Sequence, residues 1–264
     1  MAAKPFENPL IRNVRLREMY TVMVEARVLS RQMRRQHTGF APGLEACWVA
    51  TAIDLHEGDL TSDAGVGPLP GYVRDAARAQ AKVLAATLRG ESGEGRLGGS
   101  FSPVKRMWTS IGAAMGLRAS GEKGVLMAYV GERELKDAEW KRVLRAAAEA
   151  EAPIIFVVLP EKNGTSGLAR LASRCGVPGI PVDASDAVAI YRVAQESIVR
   201  ARADSKPALI AGVPFIAAGK AKKAADPIQL LGEQLIAKQA ATPAWLAKVE
   251  PRCQSRLEAA LAKQ

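Results

Sequence analysis

The chain has 264 residues, 48% of them apolar, enough to fill a sizeable core in one large domain or two small ones. No apolar run reaches the roughly 18–20 residues that span a bilayer, and the opening MAAKPFENPLIRN lacks the apolar segment of a secretory leader, so a soluble, cytoplasmic protein is expected. A net charge of +10 raises the question of an anionic partner, but aromatics at 5% argue against the base-stacking surfaces of single-strand nucleic-acid binders.

Residues 10–36 carry apolar side chains at Val14, Leu16, Met19, Tyr20, Met23, Val24, Val28, Leu29 and Met33, a helical period that Gly39, Pro42 and Gly43 stop. Arg27, Arg31, Arg34 and Arg35 lie on this helix, and Lys220, Lys222 and Lys223 lie in a later loop. Together they form either a solvated basic face or a surface for a polyanion or an acidic protein. A second helix is expected over 44–55, with His56 capping its C-terminus. Only His37 and His56 are present, which leaves few candidates for proton transfer near neutral pH. Cys47, Cys175 and Cys253 are odd in number and form no CxxC pair, so they read as buried small apolar residues rather than as disulfides or zinc ligands.

Residues 61–71 read as a loop in which Asp63 is a solvated turn residue, residues 74–88 as a helix, and residues 90–99 as a glycine-rich loop whose amides could approach a phosphate. The central stretch, 124–164, reads as strand, turn, helix, strand, turn. Residues 126–130 and 154–159 are short, β-branched apolar runs suited to buried parallel strands. Between them Leu135, Ala138, Val143, Leu144, Ala147 and Ala148 make one apolar stripe of a crossover helix. Ligands of an open α/β sheet bind beyond the carboxyl ends of its strands, so Gly131-Glu132-Arg133 and the run from Pro160 to Gly164 should face one crevice. Further on, residues 167–175 and 187–203 read as helices, GVPGIPVDASD and 207–214 supply strands, and two amphipathic helices close the chain.

Gly131, the uninterrupted spacing from 131 to 153, GRLGGSFSP, TSIGAAMGLRAS, GVPGIPVDASD and Asp226-Pro227-Ile228 together resemble the α subunit of thiamine-diphosphate-dependent 2-oxo acid dehydrogenase E1 components, the pyruvate and branched-chain types. Glu45 and Ala46 fall on that family's Glu-Ala, and the likeness runs from about Tyr20 to the C-terminus. The resemblance implies an α/β, thiamine-diphosphate-binding fold over 1–264 as a single domain, with a mainly parallel sheet, helices on both faces and extra helices at both ends. It also implies thiamine diphosphate with Mg²⁺ as cofactors and an E1 β-like subunit as partner. By position, Gly131, Glu132, Arg133, Ile111 and Gly112 would face the cofactor, and Glu132, Glu161 and Asn163 the metal.

The chemistry departs from the family. The metal-binding Asp is replaced by Glu132, the following Gly by Arg133, and the Asn pair by Pro160 and Glu161. Ser102 stands where a His would be, and the run from Phe215 to Ala225 has no histidine. Mg²⁺ demands octahedral oxygen ligation at about 2.0–2.1 Å, which an extra methylene disturbs. No catalytic residue is assigned. The sequence points to a degenerate member kept for assembly or regulation, with an active α subunit and a polyanion-binding protein as the alternatives. A homodimer is expected; Arg133, or failing that Lys162, either pairs with Glu132 or Glu161 in place of the metal, or Arg133 points to solvent from its turn.

Overall fold

The computed structural model describes residues 11–35, 43–63, 95–97, 102–160, 167–214 and 225–262. Helix α1 (Asn13–Arg35) leads into α2 (Glu45–Ala52) and the short strand β1 (Leu60–Ser62). Then come α3 (Pro103–Ala119), β2 (Leu126–Gly131), a 3₁₀ turn (Glu132–Glu134), α4 (Asp137–Glu149) and β3 (Ile154–Leu159). The chain continues through α5 (Gly167–Arg174), β4 (Gly179–Asp183), α6 (Ala187–Asp204), β5 (Ala208–Val213), α7 (Pro227–Ala237) and α8 (Pro243–Leu261).

The strands form one parallel sheet in the order β1-β2-β3-β5-β4. Side chains alternate along each strand, so the sheet divides the apolar residues into two cores. Met127, Tyr129, Ile155, Val157 and Ile210 pack under α1, α2, α6, α7 and α8. Leu126, Ala128, Val130, Phe156, Val158 and Leu209 pack under α3, α4 and α5. The step from β2 to β3 passes α4 on the second face, whereas the step back from β4 to β5 passes α6 on the first. Reversing both direction and face keeps the crossovers of one hand, as twisted parallel strands require. The α/β fold, the parallel sheet and the extra helices at both ends are therefore as the sequence implies.

Two local readings are corrected. The second helix ends at Ala52, and His56 lies beyond it, where its backbone N–H donates to Asp59 instead of its ring capping a helix. Residues 60–62 are a strand rather than a loop: Leu60, Thr61 and Ser62 pair with Leu126, Met127 and Ala128. Three residues are too short for an apolar pattern to register, and a polar Thr-Ser pair hides a strand whose two hydroxyl side chains are wholly buried.

Asp59 fixes the amino-terminal end of this arrangement. It is fully buried and accepts from the Val125 N–H at 2.9 Å, from the His56 N–H and from both terminal nitrogens of Arg202 on α6. A buried carboxylate is tolerated only when paired and hydrogen-bonded in this way. The opposite, carboxyl end is thereby left as the place where variation in loops and side chains can serve a ligand.

Candidate functional site at the carboxyl edge of the sheet

With every strand parallel, Ser62, Gly131, Leu159, Val213 and Asp183 end along one edge. The turn after β2 is well held. Gly131 is extended at φ −74° and ψ 145°, the Glu132 carbonyl accepts from Trp140 Nε1 at 3.0 Å, and the Lys136 N–H donates to Glu139 at 2.8 Å to start α4. Glu132 is half-buried and Arg133 is exposed. Glu161, Lys162 and Asn163 lie outside the described residues, as do most of 90–99, all of 74–88 and the basic Lys220, Lys222 and Lys223.

The charge nearest this turn that is buried comes from α3. Arg106 is 5% exposed, donates from Nη1 to the Tyr129 carbonyl at 2.6 Å and from Nη2 to Glu134 Oε2 at 3.0 Å, and leaves Nε without a hydrogen-bond partner. Burial lowers its basicity, and the neighbouring Glu134 and Asp63 carboxylates work the other way. Asp63, read from the sequence as a solvated turn residue, is in fact buried, and its Oδ1 accepts from Arg96 Nη2 at 2.8 Å. Arg96 is placed by a short ladder outside β1, in which the Thr61 N–H donates to the Gly95 carbonyl and the Leu97 N–H to the Thr61 carbonyl, each at 2.8 Å. Asp63 is thus paired with the Arg96 guanidinium and acts electrostatically on that of Arg106. Thr61 Oγ1 and Ser62 Oγ, beside it on β1, are buried with no hydrogen-bond partner.

Sequence reasoning missed Arg106. The available signal was a charge on an apolar stripe: Arg106, Met107, Ser110, Ile111, Ala114 and Leu117 are the buried residues of α3 at helical spacing. Ile111 packs into the second core at 3% exposure, whereas Gly112 points away from it, and a Cβ built at Gly112 or Gly116 meets no atom within 4 Å. No described residue packs closely against either glycine. Trp108 and Met115, 44% and 47% exposed, lie on the same outer face.

The other end of the edge is tied by Arg27. Its Nε and Nη2 grip the fully buried Glu45 at 2.9 and 3.0 Å, and its Nη1 reaches Asp226 at 2.7 Å. Asp226 also accepts from the Ile228 and Gln229 N–H groups at the start of α7. Desolvation weakens and these carboxylates strengthen the Arg27 charge, and the net effect raises its pKa. Cys47 sits beside them, with Sγ 3.8 Å from the Ala184 carbonyl. Burial first, then Asp183 and Glu45, push its thiol up to about 12. That thiol is inert as a nucleophile near neutral pH, and all three cysteines are free and buried, as expected.

Among the described residues no group of three or more His, Cys, Asp or Glu is placed to hold a metal ion, and no helix is long and apolar enough to cross a membrane. Much of the basic charge is neutralised locally: Arg15, Arg27, Arg31, Arg96, Arg106, Arg118, Arg200, Arg202 and Arg256 all form ion pairs.

Comparison with known proteins agrees with this architecture. Residues 93–215, from just before α3 to just after β5, match the family model described as dehydrogenase E1 component. The 3-methyl-2-oxobutanoate dehydrogenase subunit alpha of Mycobacterium tuberculosis is 32% identical over 116 residues, 40% of this chain and 32% of the relative. The pyruvate dehydrogenase E1 component subunit alpha of Staphylococcus aureus is 32% identical over 111 residues, 38% of this chain and 30% of the relative. The match thus spans about a third of the length of these relatives. Over the matched segment, which carries four of the five described strands, this chain is similar to the dehydrogenase E1 component family.

Proposed function

We propose that this chain is an E1 α-like component that does not bind thiamine diphosphate and Mg²⁺, and that it serves assembly or regulation of a 2-oxo acid dehydrogenase-type complex. The observation that carries this reading is the filling of the carboxyl edge by Arg106 and Arg96, paired with Glu134 and Asp63. A diphosphate-bound Mg²⁺ needs carboxylate and carbonyl oxygens left open to it. The described residues do not fit that group: Glu132 and Arg133 replace the Asp and Gly of the resembled motif, and Asp63 and Glu134 are engaged by the guanidinium groups of Arg96 and Arg106. No catalytic step is therefore assigned to this chain.

The partners proposed are a second copy of the chain and an E1 β-like subunit. The outer face of α3, with Trp108 and Met115 exposed around Gly112 and Gly116, supports the first. Calorimetry tests the cofactor reading. Titration of the purified protein with thiamine diphosphate in millimolar Mg²⁺ is expected to give no binding heat. Micromolar, Mg²⁺-dependent binding would overturn the proposal and return the active α subunit to first place.

A further inference from the structure

A cavity of about 290 Å³ lies at the other end of the sheet, between the carboxy-terminal half of α6 and the first residues of β4 and β5. The six residues of β5, at about 3.3 Å each, separate it from the carboxyl edge. Its size is close to the lower end of the roughly 300–1,000 Å³ of small-molecule sites. Pro178, Ile180, Pro207 and Ala208 give it apolar walls. From α6 comes Ser197, 4% exposed, whose hydroxyl donates to the Val193 carbonyl at 2.8 Å. The small side chains of Ser197 and Ala208 leave room here that larger residues fill elsewhere in the core.

Four charged side chains also line the cavity. Glu196 and Arg200, one turn apart on α6, pair with each other at 2.7 Å and cancel. The other two are Asp204 and Lys206, whose side chains have no ion-pair partner among the described residues. The backbone fixes where this pair sits. Between them Ser205 closes α6 in the left-handed region, at φ 50° and ψ 43°, and its N–H donates to the Ala201 carbonyl at 3.0 Å. A residue other than glycine is uncommon in that conformation. Lys206 is in turn held extended by the proline that follows it. An unpaired carboxylate and an unpaired ammonium are thus presented two residues apart on a cavity with apolar walls.

We propose that this cavity binds a free α-amino acid with an apolar side chain, its ammonium on Asp204, its carboxylate on Lys206 and its side chain against Ile180, Pro207 and Ala208. One cation and one anion beside an apolar surface complement a zwitterion. A simple carboxylic acid would satisfy Lys206 and be repelled by Asp204, and a simple amine would do the reverse, so the pair discriminates against both. The site goes beyond the cofactor reading and does not depend on it.

Calorimetric titration of the natural chain with L-leucine and L-phenylalanine is the test, with thiamine diphosphate and Mg²⁺ absent so that its outcome is separate from that of the cofactor titration. At least one of the two should bind saturably at or below millimolar concentration. Its counterpart lacking the ammonium (4-methylpentanoate or 3-phenylpropanoate) and its counterpart lacking the carboxylate (3-methylbutylamine or 2-phenylethylamine) should each bind roughly tenfold more weakly. Asp204→Asn and Lys206→Gln should each weaken the amino acid roughly threefold to tenfold. Both side chains are exposed, so both variants should melt with the natural chain when no ligand is present. No saturable binding of either amino acid, equal binding of either counterpart, or unchanged affinity in either variant would overturn the proposal.

Discussion

Asp226 accepts from two amides at the start of α7 and from the Arg27 guanidinium, a side chain that also neutralises Glu45 in the core. Burial works to raise its pKa, but Arg27 and the two amides outweigh that and hold its carboxyl below the usual value. A carboxyl that is more acidic folded than the unfolded value of about 3.9 adds stability that is complete at neutral pH. That contribution is lost as pH falls through the folded-state pKa, hence below about pH 4. Asp226→Asn keeps a good helix cap but loses the charge. It should cost under about 1 kcal/mol at pH 7, because this ion pair is partly exposed, and the deficit should vanish toward about pH 2 in urea melts across pH. Single residues were the scale at which the sequence was least legible. Asp63 looked like a turn residue because its partner, Arg96, is far away in sequence and arrives only when the 95–97 segment pairs beside β1. The Asp-Pro-Ile string, by contrast, is local chemistry, and it caps α7 as its pattern implies.

At the scale of elements, the central strand-helix-strand unit was readable because each part has its own period. The six apolar residues of β3 are all buried, and α4 buries Trp140, Val143, Leu144 and Ala147 on one stripe, although Leu135, read as part of it, precedes the helix and Ala138 is exposed. The reading failed where an element was short, as at β1, or where its outward face was as apolar as its inward one, as on α3. The join between α5 and β4 is a place where one atom decides the packing. A Cβ added at Gly179 would lie 2.0 Å from the Ala169 carbonyl oxygen and 2.7 Å from its carbon, so backbone would have to move. Gly179→Ala should therefore reach or exceed the upper end of the ~1–3 kcal/mol typical of overpacking. A chemical denaturation midpoint unchanged from the natural chain would show that α5 can shift freely on the sheet.

For the whole molecule, the fold class was legible and the assembly was legible only as an expectation. The outer face of α3 gives that expectation a geometry. A two-fold axis through Gly112 would set Trp108 of one copy against Gly116 of the other, a large side chain over a notch, and Met115 against Thr109. Light scattering after size exclusion should show a dimer at micromolar concentration, and Gly116→Leu should shift it to monomer without lowering the melting temperature of the monomeric fold. A monomer at high micromolar concentration for the natural chain would remove the α3 interface.

The strand that comes last in sequence, β5, lies inside the sheet between β3 and β4. During synthesis β4 therefore emerges with no ladder to join, and β3 waits with one edge open, until residues 208–213 leave the ribosome. Edges of that kind are where nascent chains pair wrongly. Insertion of β5 closes both at once, so a chain stopped before Ala208 would lose the paired state of β4 completely and half that of β3. The sheet is finished by a single late event, and a message truncated anywhere upstream of it yields a product that a protease can recognise by its open strands.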